Sequence, residues 1–306
     1  TSRTLTDDYG VHIDDVVLRS SVTADTLVMS LYKHNDMNGL PCLSRGAVLS
    51  NENLSSFGVY ASRTKDNNTQ LFFQNLKVER DVTTGDCTSE KMYYWPGPFY
   101  EVNFMAIAPY NPSGLVVTMD DNNAFPASLS YEVPNEATKQ TDWTIAMPTS
   151  YDGDYEYNVP LTFKHLCSAV NVKVGTIPQG SIKAITFKNI YNKGTYTIAN
   201  DAWSVNNASK DNFSVDFVGT STNYPTAGTE TGNPQINDAS ATFMMIPQTL
   251  PDDAEIEITF LHSNTGKEET LKASLKGTSW VMGQTNNYLI SITPDYILDF
   301  TTEQVD

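Results

Sequence analysis

The sequence predicts an all-β protein, arranged as two tandem sandwiches of antiparallel sheets. Three observations carry this: short apolar runs with a period of two, polar turn clusters between them, and no apolar stripe at helical spacing over a dozen residues. The first alternating run is Leu27, Met29 and Leu31, followed by Val102 and Phe104 around Asn103. Later runs are Val170, Val172 and Val174 around Asn171 and Lys173, then Ile256, Ile258 and Phe260 around Glu257 and Thr259, then Tyr288, Ile290 and Ile292. Such spacing puts apolar side chains on one face of a strand and polar ones on the other. Asn35–Gly39, Asp66–Asn68, Asp120–Asn123 and Asn192–Gly194 supply the turns, since Asn, Asp and Gly tolerate turn conformations that other residues resist.

At 306 residues the chain is about twice a typical domain length, enough for a core in each half without disulfides or metals. Composition changes over residues 148–160, where aliphatic residues thin out, and the boundary is placed there: an N-terminal domain 1–157 and a C-terminal domain 158–306. Gly219 to Asn237, rich in Thr, Gly and Asn, reads as a long surface loop. No internal repeat stands out.

Nineteen Lys and Arg face 36 Asp and Glu, a formal charge of −17 that repels nucleic acid and anionic lipid, and no long Lys/Arg run offsets it. No apolar run approaches the roughly 20 residues needed to span a bilayer. The chain opens on Thr1 rather than Met, consistent with a targeting segment removed upstream. Cys42, Cys87 and Cys167 are widely spaced and lack a C-x-x-C pair. A zinc site is therefore not expected, Cys167 reads as a small core residue, and a Cys42–Cys87 bridge stays open.

Catalytic patterns are missing. His12, His34, His165 and His262 have no G-x-S-x-G elbow to serve, and no phosphate-binding glycine loop is present. His165, in register with Leu161 and Phe163, reads as a structural histidine bonded to backbone or to Ser/Thr. Asp120–Asn123 and Asp152-Gly153-Asp154 look like calcium loops only superficially, because neither keeps the ligand register with a distal Glu. No paired carboxylates stand out for glycoside chemistry, so the expectation is a non-enzyme without cofactor or metal. Trp95, Trp143, Trp203 and Trp280 read as core residues, although an exposed Trp on a sandwich face would stack sugars.

Several segments in order resemble landmarks of the fimbrillin family of Bacteroidetes, the major and minor fimbrial subunits. They are Ser56-Phe57-Gly58-Val59-Tyr60-Ala61, Tyr94-Trp95-Pro96, Val102–Ala106 with Ala108-Pro109-Tyr110, and Asp142-Trp143-Thr144-Ile145-Ala146. The second half adds Leu161-Thr162-Phe163-Lys164-His165, similar to the family's Leu-x-Phe-x-His strand, then Ile185–Ile190 with Gly194 and Trp203. Ile246-Pro247-Gln248 and Trp280 with Gly283 and Tyr288 complete a series over about residues 45–295.

The resemblance implies transthyretin-like Greek-key sandwiches, export as a lipoprotein precursor to the outer membrane, and assembly into fimbriae at the cell surface that support adhesion. It also implies a cut after an N-terminal Arg that removes the first strand, whose groove a strand from another subunit then fills. Arg45, in Ser44-Arg45-Gly46-Ala47, is the candidate processing site, with Arg3 and Arg19 as weaker alternatives. Residues 1–45 are then the removable segment, and their presence suggests an unprocessed form. Ile297, Leu298 and Phe300 form the candidate donor strand, or equally the last strand of their own domain. The expected partners are other fimbrial subunits, and beyond them a host surface protein or glycan. The alternative is a non-polymerising surface lipoprotein of the same fold that binds glycan or host protein.

Overall fold

The alternating runs become strands, and where sheets cover both sides of a strand both of its faces carry apolar residues. The computed structural model describes residues 26–30, 49, 53–155, 159–219, 222–226, 232–237, 241–292 and 298–305. The first strands are β1 (Thr26–Ser30), β2 (Ser56–Lys65), β3 (Asn68–Arg80), β4 (Cys87–Ser89), β5 (Glu101–Ala108), β6 (Leu115–Met119), β7 (Pro126–Glu132), β8 (Thr144–Asp152) and β9 (Pro160–His165). Next come β10 (Ser168–Val174), β11 (Gly180–Tyr191), β12 (Lys193–Thr197), β13 (Ala202–Val205), β14 (Lys210–Ser214), β15 (Tyr224–Thr226) and β16 (Phe243–Met245). The last are β17 (Gln248–Thr249), β18 (Glu255–His262), β19 (Glu268–Ser274), β20 (Ser279–Trp280), β21 (Thr285–Ile292) and β22 (Leu298–Val305). The helical content among the described residues is two short 3-10 turns, Ala137–Lys139 and Ile198–Asn200, so the chain is all-β as expected.

A seven-stranded sheet in the order β1-β9-β8-β5-β2-β3-β4 organises the first half. Strand β5 shows how its two faces are used. Phe104 and Ala106 join Phe57, Val59, Phe73, Leu161 and Phe163 in one apolar cluster. Met105 and Ile107 point to a second cluster, with Leu129, Tyr131 and Trp143. The rings of Phe57 and Phe163 meet edge to face at 5.6 Å, a geometry that aromatic quadrupoles favour. A four-stranded sheet, β13-β12-β7-β6, contributes Leu129, Tyr131 and Tyr196 to the second cluster. That cluster continues into the second half without a break.

In the second half, the sheet β16-β10-β21-β22 packs against β14-β11-β18-β19. Phe187 on β11 lies 5.6 Å from Phe243, 6.2 Å from Trp280 and 5.3 Å from Tyr288, so one ring ties strands of both sheets. Antiparallel pairing was expected throughout, but β10 and β21 run parallel, Ala169 beside Thr285 through Val174 beside Ile290. A parallel pair needs a long crossover, which the intervening strands supply and which alternation in the sequence does not reveal.

Two further expectations meet the structure differently. The run read as opening the second half, β9, pairs with β8 (Thr144 beside His165, Ala146 beside Phe163) and lies in the seven-stranded sheet. Strands β8 and β9 therefore flank residues 156–158, which lie outside the described residues. The stretch Gly219 to Asn237 is not wholly a surface loop. Strand β15 pairs with β11, and Ile236 and Asn237 are buried. Asn237 Oδ1 accepts the Val172 amide at 2.9 Å, and its Nδ2 donates to Asn171 Oδ1 at 3.1 Å. Polar composition is compatible with burial once every group has a partner.

Candidate functional site: two sheet edges

Among the described residues, strand β1 is the outer strand of the seven-stranded sheet and pairs with β9 along Thr26–Lys164, Leu27–Phe163, Val28–Thr162, Met29–Leu161 and Ser30–Pro160. The register aligns the apolar positions of the first alternating run with Leu161 and Phe163, which are buried. If β1 left, the β9 backbone would present unpaired N–H and C=O groups, the template that an added strand uses.

The chain beyond β1 is held to the body independently of it. Leu49 and Leu54 are 2 % and 1 % exposed, packed in the same cluster as Phe57 and Phe163. The Leu49 amide donates to Asp142 Oδ2 at 2.7 Å, and that same oxygen lies 2.8 Å from His165 Nδ1 at the end of β9. Arg80, buried, donates from Nη1 to the Leu54 carbonyl at 3.1 Å, and its backbone amide donates to the Ser55 carbonyl at 2.7 Å. Burial holds the Arg80 guanidinium below its usual pKa, against the opposing influence of Cys87 and Asp81. His165 is thus structural, as read from sequence, but a carboxylate partners it. Asp142, in the Asp142–Ala146 motif, gave no sign in the sequence of this bridging role.

The second edge is β22. It pairs antiparallel with β21 over eight positions, from Ile292 beside Leu298 to Thr285 beside Val305. Leu298 is buried and the half-buried Phe300 ring lies 5.7 Å from Tyr288. Thr302 and Gln304, further along the strand, are exposed. Gln304 Nε2 donates to the Ser279 carbonyl at 3.0 Å and to Asn286 Oδ1 at 3.1 Å. Leu298 and Phe300 of the candidate donor segment therefore sit on the last strand of the second half. Ile297 and the candidate cleavage residue Arg45 lie outside the described residues.

The remaining candidate chemistry resolves into packing and turns. Burial pushes the Cys87 thiol up to about 12 and the Cys167 thiol well above its ordinary range, and both are free thiols. Cys42 lies outside the described residues. Asp120 closes a turn, its Oδ1 accepting the Ala124 amide at 2.8 Å and its carbonyl the Asn123 amide at 2.8 Å. Gly153, in the other acidic segment, lies under the 97–100 loop, where an added Cβ would fall 2.3 Å from the Gly97 carbonyl oxygen. Trp143 and Trp280 are buried, Trp203 donates Nε1–H to the Leu166 carbonyl at 2.8 Å, and half-buried Trp95 packs on Phe104 and Tyr155. An open depression of about 640 Å³ lies over β6, β7, β12 and β13, lined by Val116, Ser130, Thr195 and Ser204. Among the described residues no cluster of three or more His, Cys, Asp or Glu is placed to hold a metal, and no helix is long and apolar enough to cross a membrane.

These features define an all-β protein of stacked sheets with a terminal strand at the edge of a sheet in each half. The chain belongs to the fimbrillin-like family: the family's sequence model matches residues 48–304. A fimbrial-subunit role and a cell-surface location are what that family supports. No curated protein matches the chain. Among solved structures, a fimbrial protein from Bacteroides vulgatus is similar with a TM-score of 0.55 at 15 % identity, covering 81 % of this chain and 92 % of that one. A candidate cell adhesion protein from Bacteroides uniformis gives a TM-score of 0.52 at 16 % identity, with coverages of 83 % and 91 %. Another, from Bacteroides ovatus, gives 0.53 at 11 %, with coverages of 86 % and 90 %. At these identities the likeness is one of fold.

Proposed function

We propose that this chain is a structural or accessory subunit of a cell-surface fimbria, joined to its neighbours by strand exchange at the β9 edge after cleavage at Arg45. The observation that carries this reading is the separate attachment of the two sides of the cut. Among the described residues, strand β1 is paired on one edge, by β9, whereas Leu49 and Leu54 are fixed by Asp142, by Arg80 and by core packing. Removal of residues 1–45 would open one edge and leave the rest of the core closed. The family match beginning at residue 48 is consistent with that division.

An incoming strand would gain backbone hydrogen bonds along β9, with alternate apolar side chains seated near Leu161 and Phe163. The C-terminal strand is the candidate donor. Leu298 and Phe300 supply the alternating apolar positions, and β22 is an edge strand paired on one side only. Partners are thus other fimbrial subunits, with export as a lipid-anchored precursor to the outer membrane and a role in adhesion.

Limited trypsin digestion tests this. A clean cut after Arg45 should yield multimers that survive mild detergent and migrate as a ladder, and Arg45→Gln should abolish both. Cut protein that stays monomeric would overturn the polymerising reading.

A further inference from the structure

The exposed end of the first half carries a feature that strand exchange does not use. Strands β2 and β3 and the 91–100 segment bring together rings and cations in one continuous series. Lys91 Nζ lies 4.9 Å from the Tyr93 ring centroid, and Tyr93 lies 5.7 Å from Phe72. The Arg63 guanidinium lies 5.8 Å from Phe72 and 5.7 Å from Tyr100. Lys65 Nζ then lies 5.5 Å from Tyr100 and 5.6 Å from Phe99. Phe99 is 78 % exposed, and Tyr94, next to Tyr93 in the chain, is 54 % exposed.

The exposed ring stands on a fixed loop. The Gly97 amide donates to the Gly153 carbonyl at 2.9 Å, Gly153 returns a bond to the Tyr100 carbonyl at 2.7 Å, and Tyr100 donates to Gly97 at 3.1 Å. Gly97 has φ +103°, a region that L side chains avoid, and Gly153 has no room for a Cβ beneath the loop. Both glycines are therefore needed to present Phe99 outward.

Several lysines elsewhere, among them Lys77, Lys188, Lys210 and Lys272, reach a carboxylate. Among the described residues, none of Arg63, Lys65 and Lys91 forms an ion pair with a carboxylate, and each faces rings instead. In a chain of net charge −17 this leaves a local cationic strip beside exposed aromatic faces.

We propose that this Lys91–Arg63–Lys65 strip with Phe99 and Tyr94 binds an acidic polysaccharide whose successive sugars carry carboxylates, a polyuronate. The chemistry matches on both counts. A sugar ring offers a face of C–H groups to an aromatic ring, and a uronate carboxylate at its edge accepts charge-assisted hydrogen bonds from a cation beside that ring. Repetition of cation and ring along the strip favours a repeating anionic chain over a single terminal acidic sugar. The site lies away from β9 and β22 and does not depend on the strand-exchange reading.

The test is titration of the uncut monomer with tetragalacturonate, with maltotetraose as the neutral control and sialyllactose as the singly charged one. Tetragalacturonate should bind in a salt-sensitive manner and the two controls much more weakly. Phe99→Ala should weaken binding about tenfold, and Lys65→Gln should weaken it and flatten the salt dependence. Both variants should keep the wild-type melting temperature, because the replaced side chains are exposed. No tetragalacturonate binding, equal binding of maltotetraose or sialyllactose, or binding indifferent to both substitutions would overturn the proposal. So would loss of self-association, rather than of sugar binding, in Phe99→Ala, since it would assign the strip to a second copy of the chain.

Discussion

The two terminal strands are both edge strands, yet they are attached differently. Strand β1 meets β9 over five positions and belongs to a segment separated from the body by residues outside the described set. Strand β22 meets β21 over eight, and its first residues reach the second core through Leu298 and Phe300. An edge strand that closes a groove and one that can be donated have opposite requirements. The first must leave an edge that another strand can fill, and the second must carry its own apolar residues to the next edge. In the proposed exchange the accepting side is β9, whose Leu161 and Phe163 are buried with β1 in place.

That contrast can be broken by substitution. Phe163→Ala should cost about 3–5 kcal/mol, the scale for deleting a fully buried ring, measured by denaturant unfolding. Phe300→Ala removes a half-buried ring and should cost about 1–2 kcal/mol, while reducing multimer yield more than monomer stability. Equal losses would show that the last strand is as integral to the core as β9.

Next in size is the Asp142 tie between Leu49 and His165. Asp142→Asn replaces the charged oxygen shared by Leu49 and His165 with a weaker, neutral amide acceptor and should cost about 1–3 kcal/mol. Its sharper readout is faster amide exchange at Leu49. Unchanged exchange there would mean that core packing alone fixes the start of the body.

The smallest effect concerns Asp201, whose Oδ1 accepts from Lys164 Nζ on β9 and from Tyr196 OH at 2.7 Å. Partial burial raises its pKa, but the hydrogen bonds from Lys164 and Tyr196 outweigh it and hold the carboxyl below its ordinary value. A depressed carboxyl stabilises above its unfolded pKa, and the contribution disappears as pH falls through the folded value. Asp201→Asn should therefore lower stability at neutral pH by less than about 1 kcal/mol, as for a half-exposed pair, and the gap to wild type should close in acid.

Strand existence was legible because alternation is local: Leu161 and Phe163, or Ile256 and Ile258, declare one face directly. Partnership was not. Nothing in Pro160–His165 says that it pairs with β8 rather than with the strands after it, and nothing in Val170–Val174 marks a parallel neighbour. Asn171 shows the limit of polarity as a guide. It alternates as an outward residue would, yet is buried, its Oδ1 receiving Asn237 and Thr242. The sheet edges were legible only as candidate segments, since an edge is defined by what is absent beside it. The exposed rings followed no sequence signal either. The tryptophans read as core residues, and Trp143 and Trp280 are buried, while Phe99 and Tyr94 face solvent.

The central claim is that β9 exchanges one neighbour for another, and amide hydrogen exchange at Leu161–His165 tests it most directly. The amides among them that bond to β1 should be protected in the uncut chain, exchange quickly in trypsin-cut protein freed of residues 1–45, and regain protection in the multimer, while those bonded to β8 stay protected throughout. Protection that is the same in all three states would contradict the account.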